Sequence, residues 1–213
     1  MLKCSTSLWS ADLVNLASEI RRVEPHSERF HLDVADGCYV PTLLFFPDLV
    51  AAIRQHASIP LEVHLLTADP LAWVGPFSDA GADGFIFCLD AADDPAGVIR
   101  AVKGRGKFVG VSLRLDEGLE RLEPYWDQLD QVTIFGTAVG IKGAAMDAGT
   151  PEKVRQARRT IDRRGLSAEV EVDGGIRRQS VPLLWAAGAD WIVPGSLIFG
   201  EDPGAIRRWL ASL

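Results

Sequence analysis

Four side chains in the sequence have the chemistry to bind a transition metal. His31 and Asp33 lie two residues apart in HLDVADG, His64 lies in EVHLL, and Asp173 ends an apolar segment directly before two glycines. Imidazole and carboxylate groups are ligands for zinc, iron(II), manganese and cobalt. If the fold brings these four groups together, they form a site for one divalent metal ion.

The segments that carry these residues belong to a repeating pattern. Short apolar stretches alternate with stretches of helical periodicity, such as Leu13, Leu16, Ala17 and Ile20. The apolar stretches are KCSTSL, RFHLDVA, LEVHLL, GFIFCL, KFVGVSL, QVTIFG, AEVEVD and DWIVPG. Eight strands in strict alternation with eight helices predict parallel strands joined by crossover helices.

Two architectures satisfy this pattern, an open doubly wound sheet and a closed eight-stranded barrel. The open sheet would be favoured by a Gly-x-Gly-x-x-Gly turn after the first strand, where the sequence instead reads CSTSLWSADL. The count of eight favours the barrel. We therefore predict an α/β fold, a single-domain (β/α)8 TIM barrel over residues 1–213.

Local signals predict where several helices begin and end. Asp69 and Asp202 each precede a proline and are candidate N-caps with proline at the first helical position. Gly81 and Gly188, each in an AGAD stretch, suit a left-handed helix C-terminus.

Barrel enzymes carry their chemistry where strands end and the following loops begin. His31 and Asp33 point to the same side of the second strand, and His64 and Asp173 come near the ends of the third and seventh strands. A lone strand histidine is more often structural, so the metal prediction depends on all four residues meeting. Glu169 and Glu171 share the parity of Asp173. Either this strand is irregular, or a charged residue lies inside the barrel with an unidentified partner.

Glycine-containing turns follow the last two strands. Gly174 and Gly175 follow the seventh strand, and Gly195 and Ser196 follow the eighth. Loops at these places in barrels frequently bind phosphate through backbone N–H groups, which a side chain would obstruct. For either pair alone, a tight turn is the slightly favoured explanation. The two pairs together favour a phosphate site.

The composition narrows the class of protein. The formal net charge is −7, which argues against nucleic-acid and anionic-membrane partners. No apolar run is long enough for a membrane span, and MLKCSTSLWS lacks the apolar core of a signal peptide. The three cysteines have no metal-type spacing. These features predict a cytoplasmic protein.

The sequence resembles the ribulose-phosphate 3-epimerase family over nearly the whole chain. The matching stretches are STSLWSADL, HLDVADGCYVP, EVHLL, AGAD, EVDGGI and GADWIVPGSLIFG. The resemblance implies a (β/α)8 barrel that inverts a carbon next to the ketone of a ketose phosphate. Such an activity would belong to carbohydrate metabolism, with pentose phosphates as substrates.

The resemblance also implies roles for individual residues. His31, Asp33, His64 and Asp173 match the family's metal ligands, and the two aspartates match its acid/base pair. Ser7 matches a substrate-contacting serine. The four residues of the glycine turns match phosphate contacts: Gly174, Gly175, Gly195 and Ser196.

The loop after the sixth strand departs from the family pattern Pro-Gly-Phe-Gly-Gly-Gln. Here it reads FGTAVGIKGAAM, which keeps Gly140 and Gly143 but has Val139 and Lys142 at the proline and at the first paired glycine. That loop helps cover the substrate, so Gly140, Lys142 and Gly143 are candidate substrate-binding residues. Lys142 either binds phosphate or a carboxylate directly or is solvated.

The residues predicted to line the pocket also differ from the family pattern. Ala35, Leu66 and Phe135 replace three methionines that commonly line the family's pocket. Cys88 stands where histidine is common, and Arg114 is a candidate to point into the site. Changes around the substrate, with the metal set retained, predict the same enolisation chemistry on ribulose 5-phosphate, another ketose phosphate or a sugar-acid phosphate.

Three functions fit these residues. The leading hypothesis is a metal-dependent epimerase of a ketose phosphate. A related barrel lyase or aldolase would use the same chemistry to break a carbon–carbon bond, and a non-catalytic sugar-phosphate binding protein would use only the pocket. A homo-oligomer would explain the apolar surface expected from Trp185, Trp209 and the segment VPTLLFFP. Burial in the core or a role as a lid explains these residues equally well.

Overall fold

A computed structural model describes all 213 residues of the chain. Eight parallel strands pair in chain order, and the eighth pairs with the first, which closes a barrel. The strands are β1 (Lys3–Ser7), β2 (Arg29–Ala35), β3 (Leu61–Leu66), β4 (Gly84–Cys88), β5 (Phe108–Leu113), β6 (Gln131–Phe135), β7 (Glu169–Asp173) and β8 (Trp191–Val193). The predicted TIM barrel is confirmed, and the open sheet is excluded.

Eight α-helices surround the barrel, but they do not alternate strictly with the strands. They are α1 (Leu16–Val23), α2 (Pro47–Arg54), α3 (Pro70–Asp79), α4 (Pro95–Lys103), α5 (Thr150–Arg164), α6 (Val181–Ala187), α7 (Ser196–Gly200) and α8 (Pro203–Leu210). No α-helix lies between β5 and β6, and two follow β8. The prediction of strict alternation is therefore wrong.

The connection from β5 to β6 covers the barrel with short 3-10 turns instead. The turns span Leu119–Leu122 and Trp126–Gln128, and Pro124 lies between them. A proline removes a backbone donor, so the turns on either side of Pro124 are not joined by an unbroken series of helical hydrogen bonds. Leu122 and Trp126 are still buried, so these turns pack against the barrel as a helix would.

The predicted helix ends are also observed. The carboxylate of Asp69 accepts a hydrogen bond from the Ala72 amide (3.2 Å), and Asp202 accepts from two amides at the start of α8. Gly81 and Gly188 have positive φ angles of 100° and 96°. No helix combines the length and the hydropathy that a bilayer crossing requires.

Alternation along β2 explains how the barrel is filled. Phe30 and Leu32 belong to the main apolar cluster, which also contains residues from the helices. The alternate residues Arg29, His31 and Asp33 are buried as well, and they point to the other side, into the barrel. The apolar layer therefore lies between strands and helices, while the barrel interior is largely polar.

The polar interior resolves the question of Glu169 and Glu171. Strand β7 is in continuous register with its neighbours, so it is regular. Glu171 is fully buried and lies 2.7 Å from the guanidinium of Arg29. Glu169 lies at the strand's start, is partly exposed and pairs with Lys3. A charged residue inside the barrel is thus the correct alternative, and Arg29 is its partner.

Burial predicts which thiols react. Cys4 and Cys88 are buried and Cys38 is exposed. Burial raises the pKa of Cys4 and of Cys88 to about 12, so neither is a thiolate at pH 8. Ellman's reagent should therefore modify one thiol per native chain, none in Cys38→Ser, and three after denaturation. Rapid reaction of two or more native thiols would contradict this burial.

Candidate active site and metal centre

The four predicted ligand residues meet at one point inside the barrel. His31 Nε2 lies 3.2 Å from His64 Nδ1 and 3.3 Å from Asp33 Oδ1. Asp173 Oδ2 lies 3.9 Å from His31 Nε2 and 3.6 Å from His64 Nδ1. One ligand atom from each residue lies within 4.8 Å of all the others. We call these four residues the ligand set.

The ligand set fits a divalent transition metal. Bonds of about 2.0–2.2 Å in a tetrahedron separate the ligand atoms by about 3.3–3.6 Å. The separations given above, 3.2–3.9 Å, bracket that range. Two carboxylates also balance the charge of a dication. Three members are buried and Asp173 is partly open, so the set has one accessible side.

The charges in this cluster reinforce one another. Burial opposes ionisation of Asp33, but His31, His64 and a hydrogen bond from Ser7 outweigh it and lower the pKa of the Asp33 carboxyl. Burial likewise disfavours a charged His31, yet Asp33 and a hydrogen bond with Glu62 raise the pKa of His31 well above its usual value. Asp33 is therefore ionised at neutral pH, as a ligand or a base must be.

Below the ligand set, a polar network crosses the barrel interior. It consists of Arg29, Glu62, Gln131 and Glu171, and we call it the floor network. Burial disfavours a charged Glu62, but Arg29 and His31 lower the pKa of its carboxyl to about 2. Burial and the charge of Glu62 together raise the pKa of Glu171 to about 7. Sequence reasoning missed this network, apart from the unresolved question of Glu171.

A pocket of about 280 Å³ opens above the ligand set. Asp33 and Asp173 line it, whereas His31 and His64 lie beneath it. The predicted substrate-binding residues all line this pocket: Ser7, Gly140, Lys142, Gly143, Gly174, Gly175, Gly195 and Ser196. Ser7 also donates a hydrogen bond to Asp33 Oδ2 (3.0 Å), the oxygen that faces away from the imidazoles.

The two glycines after β7 have a structural role and leave their amides free. Gly174 and Gly175 have φ angles of 97° and 69°, and a Cβ on Gly175 would lie 2.6 Å from the backbone of Met146. The tight-turn explanation therefore suffices for their presence. The N–H groups of Gly174, Gly175, Gly195 and Ser196 nevertheless donate no hydrogen bond within the protein. Such unpaired amides suit an anion.

Two side-chain cations stand at the rim of the pocket without a carboxylate partner. Lys142 donates to the carbonyl oxygen of Trp9 (2.9 Å), with its ammonium 5.8 Å from the centroid of the Trp9 ring. Arg177 donates to the carbonyl oxygen of Ile176 (2.8 Å) and also lines the pocket. Sequence reasoning missed Arg177, for which the signal was a basic residue two positions after the paired glycines.

The three residues at the family's methionine positions come together. Ala35, Leu66 and Phe135 belong to one small apolar cluster that also contains Cys88, and the Phe135 ring stacks on His64 with centroids 5.2 Å apart. Leu66 and Phe135 line the pocket. The departures from the family pattern thus change one continuous wall beside the ligand set.

The expectation that Arg114 points into the site is wrong. Its guanidinium lies 2.9 Å from Asp90 and 3.4 Å from Asp116. These acids hold it in an adjoining cavity that Tyr39 and Pro41 also line and that shares residues 137–139 with the pocket. The opposite charges nearby decide its direction, and the sequence around Arg114 did not reveal that Asp90 reaches this loop.

The chain is similar in sequence to a family of known proteins over nearly its whole length. The family described as "Ribulose-phosphate 3 epimerase family" matches residues 3–199. Ribulose-phosphate 3-epimerase of Bacillus subtilis is 32% identical over 95% of this chain and 94% of its own. The Chlamydia pneumoniae enzyme of that name is 35% identical over 94% and 89%. The cytoplasmic isoform of Oryza sativa is 32% identical over 96% and 90%.

Solved structures share the fold at lower identity. KGPDC from Streptococcus mutans superposes with a TM-score of 0.75 at 15% identity, covering 99% of this chain and 96% of that one. The 3-hexulose-6-phosphate synthase of Salmonella typhimurium gives a TM-score of 0.70 at 20% identity, covering 99% and 97%. At these identities, the likeness extends to the barrel fold alone.

The sequence comparisons show more than a shared fold. The family match runs from the first strand into α7 and therefore includes every residue of the ligand set and every glycine turn. The relatives exceed 30% identity over nearly the whole of both chains. The resemblance predicted from short motifs is confirmed, and the chain belongs to the ribulose-phosphate 3-epimerase family.

Proposed function

We propose that the protein is a metal-dependent epimerase that inverts the carbon next to the ketone of a ketose phosphate. The observation that carries this proposal is the pair Asp33 and Asp173, which reach one pocket from strands β2 and β7. The names of the relatives support ribulose 5-phosphate and xylulose 5-phosphate as the first substrates to test.

The two aspartates would act as the acid/base pair. A proton next to a ketone is weakly acidic, so a positioned base must remove it. Strands β2 and β7 are separated by β1 and β8 around the barrel, so Asp33 and Asp173 approach the pocket from different sides. One carboxylate removes the proton from one face of the sugar, and the other returns a proton to the opposite face. Inversion needs this two-sided arrangement.

The ligand set would hold one divalent ion, which, when bound, supplies positive charge that stabilises the negative charge developing on the sugar oxygens. Zinc, iron(II), manganese and cobalt all accept this donor set. Ser7 restrains Asp33 through its second oxygen, so that carboxylate keeps one orientation while its other oxygen faces the ligand set.

The turns after β7 and β8 would bind the phosphate. The free amides of Gly174, Gly175, Gly195 and Ser196 supply donors at the ends of β7 and β8. Gly140 and Gly143 belong to the loop that covers the pocket. Lys142 and Arg177 add two positive charges at the rim, which matters because the chain as a whole is acidic.

Two further expectations extend to the whole protein. Leu43 and Phe46, in the loop after β2, are 78% and 58% exposed, which supports a homo-oligomer that covers them. A cytoplasmic location stays a prediction, supported by the cytoplasmic relative in Oryza sativa.

Loss of either proposed acid/base residue should abolish inversion. Asp33→Asn and Asp173→Asn should each lower kcat by at least about 100-fold, since acid/base catalysis contributes about 10²–10⁴-fold. Asp69→Asn, at a helix cap outside the pocket, is the matched control and should keep full activity.

In deuterated water, the wild type should incorporate deuterium at the inverted carbon without fragments. Two products would indicate a lyase, and full activity of either active-site variant would contradict the mechanism.

Metal analysis should find one divalent ion per chain. Chelation should abolish epimerisation, and activity should return with at least one of zinc, iron(II), manganese or cobalt. His64→Ala should lower the bound metal well below one ion per chain after dialysis, because it removes one of four ligands. A chelated protein that retains full activity would be incompatible with the proposed metal centre.

The rim cations should contribute to substrate affinity. Lys142→Met and Arg177→Met should each raise KM for a ketose phosphate by about three- to tenfold, with kcat nearly unchanged and a smaller effect at high salt. Lys107→Met, before β5 at the opposite end of the barrel, is the control and should change neither parameter. Unaltered KM in both rim variants would mean that these cations are merely solvated.

A further inference from the structure

We propose that Glu62 is a positioning residue for the metal centre: it fixes the tautomer of His31, and the floor network holds Glu62 in place. This inference rests on the metal binding included in the proposed function. It extends the site from the four ligands to a buried carboxylate that the acid/base chemistry does not use.

The contact between Glu62 and His31 is direct and buried. Glu62 Oε1 lies 2.7 Å from His31 Nδ1, and both side chains are fully buried. Because a carboxylate only accepts, the proton of a neutral His31 lies on Nδ1. The lone pair of Nε2 then faces the other three ligand atoms. Ser5 donates a second hydrogen bond to Glu62 Oε1 (3.0 Å), which restrains the carboxylate further.

His64 presents its other ring nitrogen, Nδ1, to the ligand set. Its Nδ1 faces the ligand set, while its Nε2 lies 2.9 Å from the hydroxyl of Ser112. That hydroxyl donates to the sulfur of Cys88 (3.3 Å), so its oxygen accepts the Nε2 proton of His64. The two histidines thus present different nitrogens, and each is oriented by a different outer partner.

Arg29 explains why a charged Glu62 is tolerated in the barrel. Its guanidinium lies 2.7 Å from Glu62 and 2.7 Å from Glu171, and it stacks 3.7 Å from the ring centroid of Trp191. Gln131 donates to both carboxylates, at 3.2 Å and 2.9 Å. The two glutamates share these partners, but Glu62 alone of the two contacts a metal ligand.

This shared environment provides a matched pair of variants. Glu62→Gln and Glu171→Gln each replace one of the two carboxyl groups beside Arg29 with an uncharged amide of the same size. Zinc affinity, measured by competition with a chromophoric chelator, should fall by about 10- to 100-fold in Glu62→Gln and stay within about threefold of wild type in Glu171→Gln. Equal affinities in the two variants would overturn the positioning role.

A measurement on the zinc-loaded wild type tests the geometry without any substitution. Long-range ¹H–¹⁵N spectra should show a proton on Nδ1 of His31 and on Nε2 of His64, with the metal on the other nitrogen of each ring. A His31 proton on Nε2, with the metal on Nδ1, would overturn the inference even if Glu62→Gln failed to fold. Wild-type protein that binds no zinc, iron(II), manganese or cobalt would instead refute the proposed metal centre itself.

Discussion

Lone pairs from four side chains converge on one point inside a closed barrel, and the rest of the site is built around that arrangement. Two imidazole nitrogens and two carboxylate oxygens lie within 4.8 Å of one another. Electron-rich atoms this close, and buried, are stable together only when positive charge or a shared proton lies among them. The proposed divalent cation would supply that charge, and it would also give an enzyme a way to stabilise an oxyanion.

Strand register is what makes this convergence possible. The apolar residues that alternate with the ligands along β2 and β3 pack outward against the helices. A slip of one residue would turn His31 and Asp33 toward the helices and bring Leu32 inside, which would expose apolar groups to polar ones. The outer core therefore fixes the site, although it touches no substrate. The barrel interior is free to be polar, at the cost of burying Arg29 and two glutamates that must satisfy one another.

Much of this could be predicted from the sequence because the signals are local. Alternation with period two identifies strands, and the rule that barrel sites follow strand ends identified the ligand set from HLDVADG, EVHLL and EVDGG. The helices predicted to begin at Asp69 and Asp202 do begin there for equally local reasons. The missing helix before β6 coincides with Pro124, but Pro76 lies inside α3, so a proline alone did not distinguish the two segments.

The remaining features depend on contacts between distant parts of the chain. Arg29 and Glu171 are 142 residues apart, and no periodicity relates them. The direction of Arg114 depends on Asp90, which belongs to the preceding βα unit.

The most direct test of the central claim is anomalous X-ray diffraction from crystals grown with zinc. One peak should lie about 2.0–2.2 Å from an atom of each of His31, Asp33, His64 and Asp173. Zinc bound elsewhere, with these four side chains apart, would contradict it.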